Sequence, residues 1–200
     1  SGPRIGVRFF GGFGLPDDLC ADPDLVAKGY ALGVPMGGDL RAPGAANAGA
    51  PSFVVRAERD GGTASQPGTP LQRVQIVKGW IENGTAQEKV YDVAGDAKNA
   101  ASVDTATCTT SGRGADALCN VWKDPDFDPA QRAFYYARVL ENPTCRWSTR
   151  VCNKAGVRCD DPSTVKQGFA ACCDAQWPKT VQERAWTSPI WYAPGAKPGA

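Results

Sequence analysis

Eight cysteines and no histidine among 200 residues limit the chemistry this chain can carry. Without imidazole there is no Ser-His-Asp or Cys-His nucleophile and no His-ligated metal site. The thiols stand at Cys20, Cys108, Cys119, Cys145, Cys152, Cys159, Cys172 and Cys173. Seven lie in the second half, among Gly, Pro, Asp and Thr, where apolar burial alone would not order the chain. Their even number and wide spacing favour disulfides over a structural zinc site, which uses close C-x-x-C pairs, and over reduced buried thiols. Disulfides stabilise by restricting the unfolded chain, about 2 to 4 kcal/mol each. They also point to an oxidising compartment, periplasmic or secreted. The simplest local bridge joins Cys108 to Cys119 across "CTTSGRGADALC". A bond between the adjacent Cys172 and Cys173 would strain the peptide, so these two should take different partners.

Carboxylates are the next candidates. Asp124, Asp126 and Asp128 in "DPDFDP" alternate like the first ligands of an EF-hand loop. Pro129 then stands where that loop needs Gly, and Tyr135 where it needs a bidentate Glu. A solvated turn is the simpler reading; a calcium site shared with other loops is the alternative. Glu141 and Glu183 are the acids that glycoside hydrolysis would use, but no spacing sets them opposite each other. "GGFG" lacks the G-x-G-x-x-G spacing of a phosphate loop and reads as a turn out of a strand. Trp80, Trp122, Trp147, Trp177, Trp186 and Trp191 offer faces for stacking on sugar, although their scatter favours packing. No catalytic, cofactor-binding or metal-ligating residue is therefore assigned in this chain.

Composition narrows the partners. Basic and acidic residues number 22 and 21, for a net charge of +1, without the basic excess that phosphate neutralisation requires. No nucleic-acid partner is expected. No apolar run approaches the roughly 20 residues of a membrane span, and no signal-peptide pattern is present.

The elements that must position these residues are mostly strands. "RIGVRFF" puts Ile5, Val7 and Phe9 on one face and Arg4 and Arg8 on the other. "SFVVRAER" repeats the alternation with Phe53, Val55 and Ala57, and "QRVQIVKGW" opposes Val74 and Ile76 to Arg73 and Gln75. Period two of this kind marks half-buried antiparallel strands. Asn83-Gly84 predicts a tight hairpin, since both residues accept positive φ. "AFYYARVLE" is apolar on both faces and predicts a central strand covered twice. In "AWTSPIWY", Pro189 marks an edge or bulge. Helices are few: "DPDLVAKGYALG" predicts about three turns, and Thr180 with Glu183 forms a capping-box pattern for a second. The fold class is all-β, an antiparallel sandwich of immunoglobulin-like type with short helices. One domain spans 1–192 with a disulfide-stapled, loop-rich insertion at about 95–180, and 193–200 is a flexible tail.

The blocks "SGPRIGVRFFGG", "GVPMGGDL", "PLQRVQIVKGW", "DPDFDPAQRAFYYARVLENPTCRWS" and "ERAWTSPIWY" carry a resemblance. Together they are similar to the C-terminal portion of bacterial proteins grouped as domain of unknown function 3604, from the first residue to about Tyr192. Members of that family are longer and resemble PHP (polymerase and histidinol phosphatase) metal-dependent phosphoesterases, whose His- and Asp-rich clusters hold metal ions that activate water. A stretch like "SGPRI" marks the junction at which the metal-binding domain gives way to a β-rich region. The resemblance implies divalent metals in an upstream domain, none in this chain, and that domain as the chain's partner. It implies a non-catalytic accessory role in a metal-dependent hydrolase. Two other readings stand beside it: a free-standing secreted module that binds a glycan or other ligand, and a structural role in an assembly.

Overall fold

The hairpin at Asn83-Gly84 is present, with positive φ of 49° and 76° at its two central residues, and it joins the two longest strands. The computed structural model describes residues 2–42 and 49–194. Ser1, most of the loop after Arg41 and nearly all of the 193–200 tail lie outside the described residues. In chain order the strands are β1 (Gly6–Gly12), β2 (Val34–Pro35), β3 (Asp39–Arg41), β4 (Ser52–Glu58), β5 (Leu71–Glu82), β6 (Thr85–Gly95) and β7 (Ser102–Val103). There follow β8 (Thr110–Ser111), β9 (Ala117–Lys123), β10 (Ala133–Glu141), β11 (Thr144–Cys145), β12 (Thr180–Val181), β13 (Arg184–Trp186) and β14 (Ile190–Ala193). The helices are α1 (Leu25–Leu32) and α2 (Trp147–Lys154), with short 3-10 turns between strands.

Two main sheets form. One runs β2-β1-β4-β9; the other runs β3-β14-β10-β5-β6, with β13 also paired to β10. All their ladders are antiparallel except β14 with β3, which is parallel. The alternation read from sequence sets their facing sides. Phe9, Phe53, Val55 and Ala57 from the first sheet meet Val74, Ile76, Tyr135, Ala137 and Ile190 from the second in one buried cluster. Side chains that alternate across a pleat fill such a two-layer core.

The outer faces differ. On the first sheet, Phe10 and Val54 are covered by Leu15, Leu19 and Leu25 from the segment that includes α1. Gly29 lets α1 lie against the Phe10 ring, because a Cβ there would come within 2.6 Å of it. α1 makes two turns rather than three: Asp22 caps the backbone amide of Asp24 at 2.8 Å, and the chain leaves the helix at an extended Gly33. The outer face of the second sheet is only partly covered. β10 is indeed central: its Ala133, Tyr135, Ala137 and Val139 row is sealed, while on the other face Phe134, Tyr136 and Arg138 are half-buried and Leu140 is buried. Two apolar faces predicted burial on both sides; the second is only partly closed, with Val77 and Leu140 buried while Ile81 and Trp191 stay exposed.

The sequence boundaries of the insertion need correcting as well. β9 and β10 fall inside 95–180, yet they are integral strands of the two sheets. The loop-rich excursions are 96–116 and 142–182, and the small β7-β8 and β11-β12 ladders lie within them. The predicted helical turn at Thr180 is instead β12, whose Thr180 and Val181 pair with Cys145 and Thr144. Pro189 does break the final run, between β13 and β14.

Candidate functional site

All eight cysteines are paired: Cys20 with Cys119, Cys108 with Cys145, Cys152 with Cys172, and Cys159 with Cys173. The local Cys108–Cys119 bridge does not form. Leu118 points into the shared core, so its neighbours Cys119 and Val121 project from the outer face of β9, where Cys20 lies. Cys108, with a positive φ of 59°, instead reaches Cys145 in β11. Cys172 and Cys173 do take different partners. Four disulfides fit a protein that folds outside the reducing cytosol, and no helix of the described residues is long and apolar enough to cross a membrane.

The three aspartates of "DPDFDP" diverge. Asp124 is buried, and its Oδ2 accepts from Lys78 Nζ and from the Tyr135 hydroxyl, each at 2.7 Å. The Lys78 and Asp124 side chains are 3% and 0% exposed, so this is a desolvated ion pair rather than a solvated turn. Asp126 accepts at 2.6 Å from both Lys89 Nζ and the Tyr91 hydroxyl. The Lys89 bond, then that of Tyr91, holds its carboxyl below the usual range. Burial, then the Asp124 carboxylate, pushes the Tyr135 hydroxyl well up. Asp128 caps the backbone amide of Ala130 at 2.8 Å. Asp124 and Asp126 tie the β9-β10 loop to strands β5, β6 and β10, whereas Asp128 bonds within the loop, and the described residues hold no group of three His, Cys, Asp or Glu arranged for a metal ion. What sequence missed was Lys78: its place on the inward side of a strand was the signal, since an inward lysine demands a buried acid.

Glu141 and Glu183 do come together, through a 3.0 Å hydrogen bond in which the Glu141 amide donates to the Glu183 carbonyl. Glu141 continues the inward row of β10 and is 1% exposed. Its Oε1 has no hydrogen-bond partner. Burial first, with the Glu183 and Asp60 carboxylates adding repulsion, pushes its carboxyl up to about 7. Such a proton-holding acid has the chemistry of a general acid. Its burial, however, keeps it from any substrate in this arrangement.

An accessible depression lies on the partly open outer face of the second sheet. Register places Trp191, Phe134 and Gly79 side by side across β14, β10 and β5. The Phe134 ring centroid is 5.3 Å from that of Trp191, and the ring also stacks on Tyr136 at 6.4 Å. Gly79 provides the space: a Cβ there would sit 2.2 Å from the Phe134 ring. The result is a depression of about 670 Å³, rimmed by Ile81, Arg132 and Trp191. Ile81 is 62% exposed, Trp186 58% and Trp191 50%. Exposed aromatic and aliphatic side chains gathered on one face make it a candidate interaction surface. Trp80 and Trp122 pack against the core as the sequence suggested, whereas the other four tryptophans are exposed.

The matching family profile, described as a protein of unknown function (DUF3604), covers residues 1–194. The chain belongs to the DUF3604 family. No curated protein and no solved structure matches it. The DUF3604 profile thus takes in both sheets, the open aromatic face and both loop-rich excursions, so that face is built from family sequence throughout.

Proposed function

We propose that this DUF3604 chain is a non-catalytic accessory region of a PHP-like metal-dependent hydrolase, and that it docks on the metal-binding domain through the open face of its second sheet. The observation that carries this reading is that face, with Trp186 and Trp191 exposed and Phe134 and Tyr136 half-buried, whereas Leu15, Leu19 and Leu25 cover Phe10 and Val54 on the outer side of the first sheet. A sheet needs a second layer over each apolar face, and here the missing layer is supplied by the upstream domain. Divalent metals belong to that domain, which provides the His and Asp clusters this chain lacks. The two-layer body serves as an immunoglobulin-like sandwich scaffold that shapes the substrate entrance, and its disulfides suit a periplasmic or secreted bacterial enzyme.

The 200-residue chain, supplied with Mn²⁺, Zn²⁺ or Fe²⁺ and generic phosphoesters, should give no turnover. Metal-dependent hydrolysis that co-purifies with the chain through successive columns would overturn the proposal.

A further inference from the structure

A second surface, away from the open sheet face, combines charge and aromatics. Between Arg146 and Lys179 the sequence carries six basic residues against three acidic ones, in a chain whose net charge is +1. Trp147, the first residue of α2, is 75% exposed, and Trp177 is 64% exposed. Between them lies a cleft of about 440 Å³, lined also by Arg146, Phe169 and Lys179. No acidic residue lines it. The three nearby acids are engaged elsewhere: Asp160 pairs with Arg158 at 3.1 Å, Asp161 accepts from Ser163 and Asp174 accepts from the Gln176 amide.

The cleft is held rigid. The Cys152–Cys172 bridge joins α2 to the 3-10 turn at Ala170–Cys173, and Cys159–Cys173 ties the intervening loop to the same turn. The Arg146 amide donates to the Lys179 carbonyl at 3.0 Å, and the Thr149 hydroxyl donates to the same carbonyl at 2.7 Å. Arg146 and Lys179 are thereby fixed as neighbours. A site stapled in this way loses little conformational entropy on binding.

We propose that this cleft binds an acidic polysaccharide segment. The apolar faces of its sugar rings lie on Trp147 and Trp177, and its carboxylates pair with Arg146 and Lys179. Indole faces suit partly apolar, partly hydroxylated rings, and a guanidinium takes a carboxylate through two parallel hydrogen bonds. Two exposed tryptophans in a basic setting would also suit single-stranded nucleic acid. The four disulfides favour the glycan, because they belong to compartments outside the cytosol. This inference is independent of the docking proposal, which uses the other face.

The test is calorimetric titration of the whole chain with an oligogalacturonate, its neutral galactose counterpart and an oligodeoxythymidylate. Oligogalacturonate should bind and the neutral sugar should not, with affinity falling as salt rises. Trp147→Ala and Trp177→Ala should each weaken binding about tenfold. Arg146→Gln should do the same, and Trp191→Ala should change nothing. Mass spectrometry showing four intact bridges in each variant separates a lost contact from a lost fold. Absence of oligogalacturonate binding at millimolar concentration, equal binding of the neutral sugar, or tighter binding of the oligonucleotide would each overturn the proposal.

Discussion

Glu141→Gln tests the interior of this fold most sharply. The Glu141 carboxyl is 1% exposed with Oε1 unpaired, and burial followed by repulsion from Glu183 and Asp60 raises it from 4.5 to about 7. The folded state therefore holds a proton that the unfolded chain releases at lower pH. The associated stability is fully present below the unfolded value, and it is lost as pH rises through the folded one. Worked between pH 5 and pH 8 with the folded value near 7, the loss comes to about 2 to 3 kcal/mol. The glutamine variant cannot ionise, so subtracting its stability from that of the parent isolates this contribution from every other titrating group. Urea unfolding at pH 5, 6, 7 and 8 with the disulfides intact supplies both curves. The parent should lose about 2 to 3 kcal/mol relative to Glu141→Gln across that range, most of it between pH 5 and 7. A difference that stays flat with pH, or one that grows in the parent's favour as pH rises, would refute the reasoning.

The other expectations concern the ion pair, the bridges and the glycine under Phe134. Lys78→Met strands the Asp124 carboxylate, which is 0% exposed, and should cost about 3 to 5 kcal/mol in urea unfolding; loss below 1 kcal/mol would mean that the pair is solvated. Replacing Cys20 and Cys119 by Ser opens a bridge with a sequence separation of 99 and should cost about 4 to 5 kcal/mol, with an unchanged native far-ultraviolet dichroism spectrum. Non-reducing peptide mapping should recover Cys108 joined to Cys145; a Cys108–Cys119 peptide would contradict the fold around β9. Gly79→Ala places a methyl against the Phe134 ring and should destabilise by about 1 to 3 kcal/mol through overpacking, read as a lower unfolding midpoint.

Local rules account for what sequence revealed. Phe53, Val55 and Ala57 alternate because β4 is a pleated strand over a core, and Asn83-Gly84 turns because both residues tolerate positive φ. The capping-box pattern at Thr180 was equally legitimate locally, yet pairing with β11 overrode it. Alternation also cannot say what lies over a face. Phe134 and Tyr136 have the composition of a buried row, and only the assembled sheet reveals that they are half-buried. Disulfide partners are set by which face of β9 each side chain leaves from, so Cys119 reaches distant Cys20 instead of nearby Cys108. Asp124 looked like a turn residue because Pro and Asp surround it; its partner Lys78 is 46 positions away.

The docking proposal is tested most directly by hydroxyl-radical footprinting of tryptophans, read by mass spectrometry, in the isolated chain and in the longer DUF3604 protein. Trp186 and Trp191 are 58% and 50% exposed here, and they should become protected in the longer protein while Trp147 and Trp177 stay reactive. Equal labelling of Trp186 and Trp191 in the two samples would contradict the account.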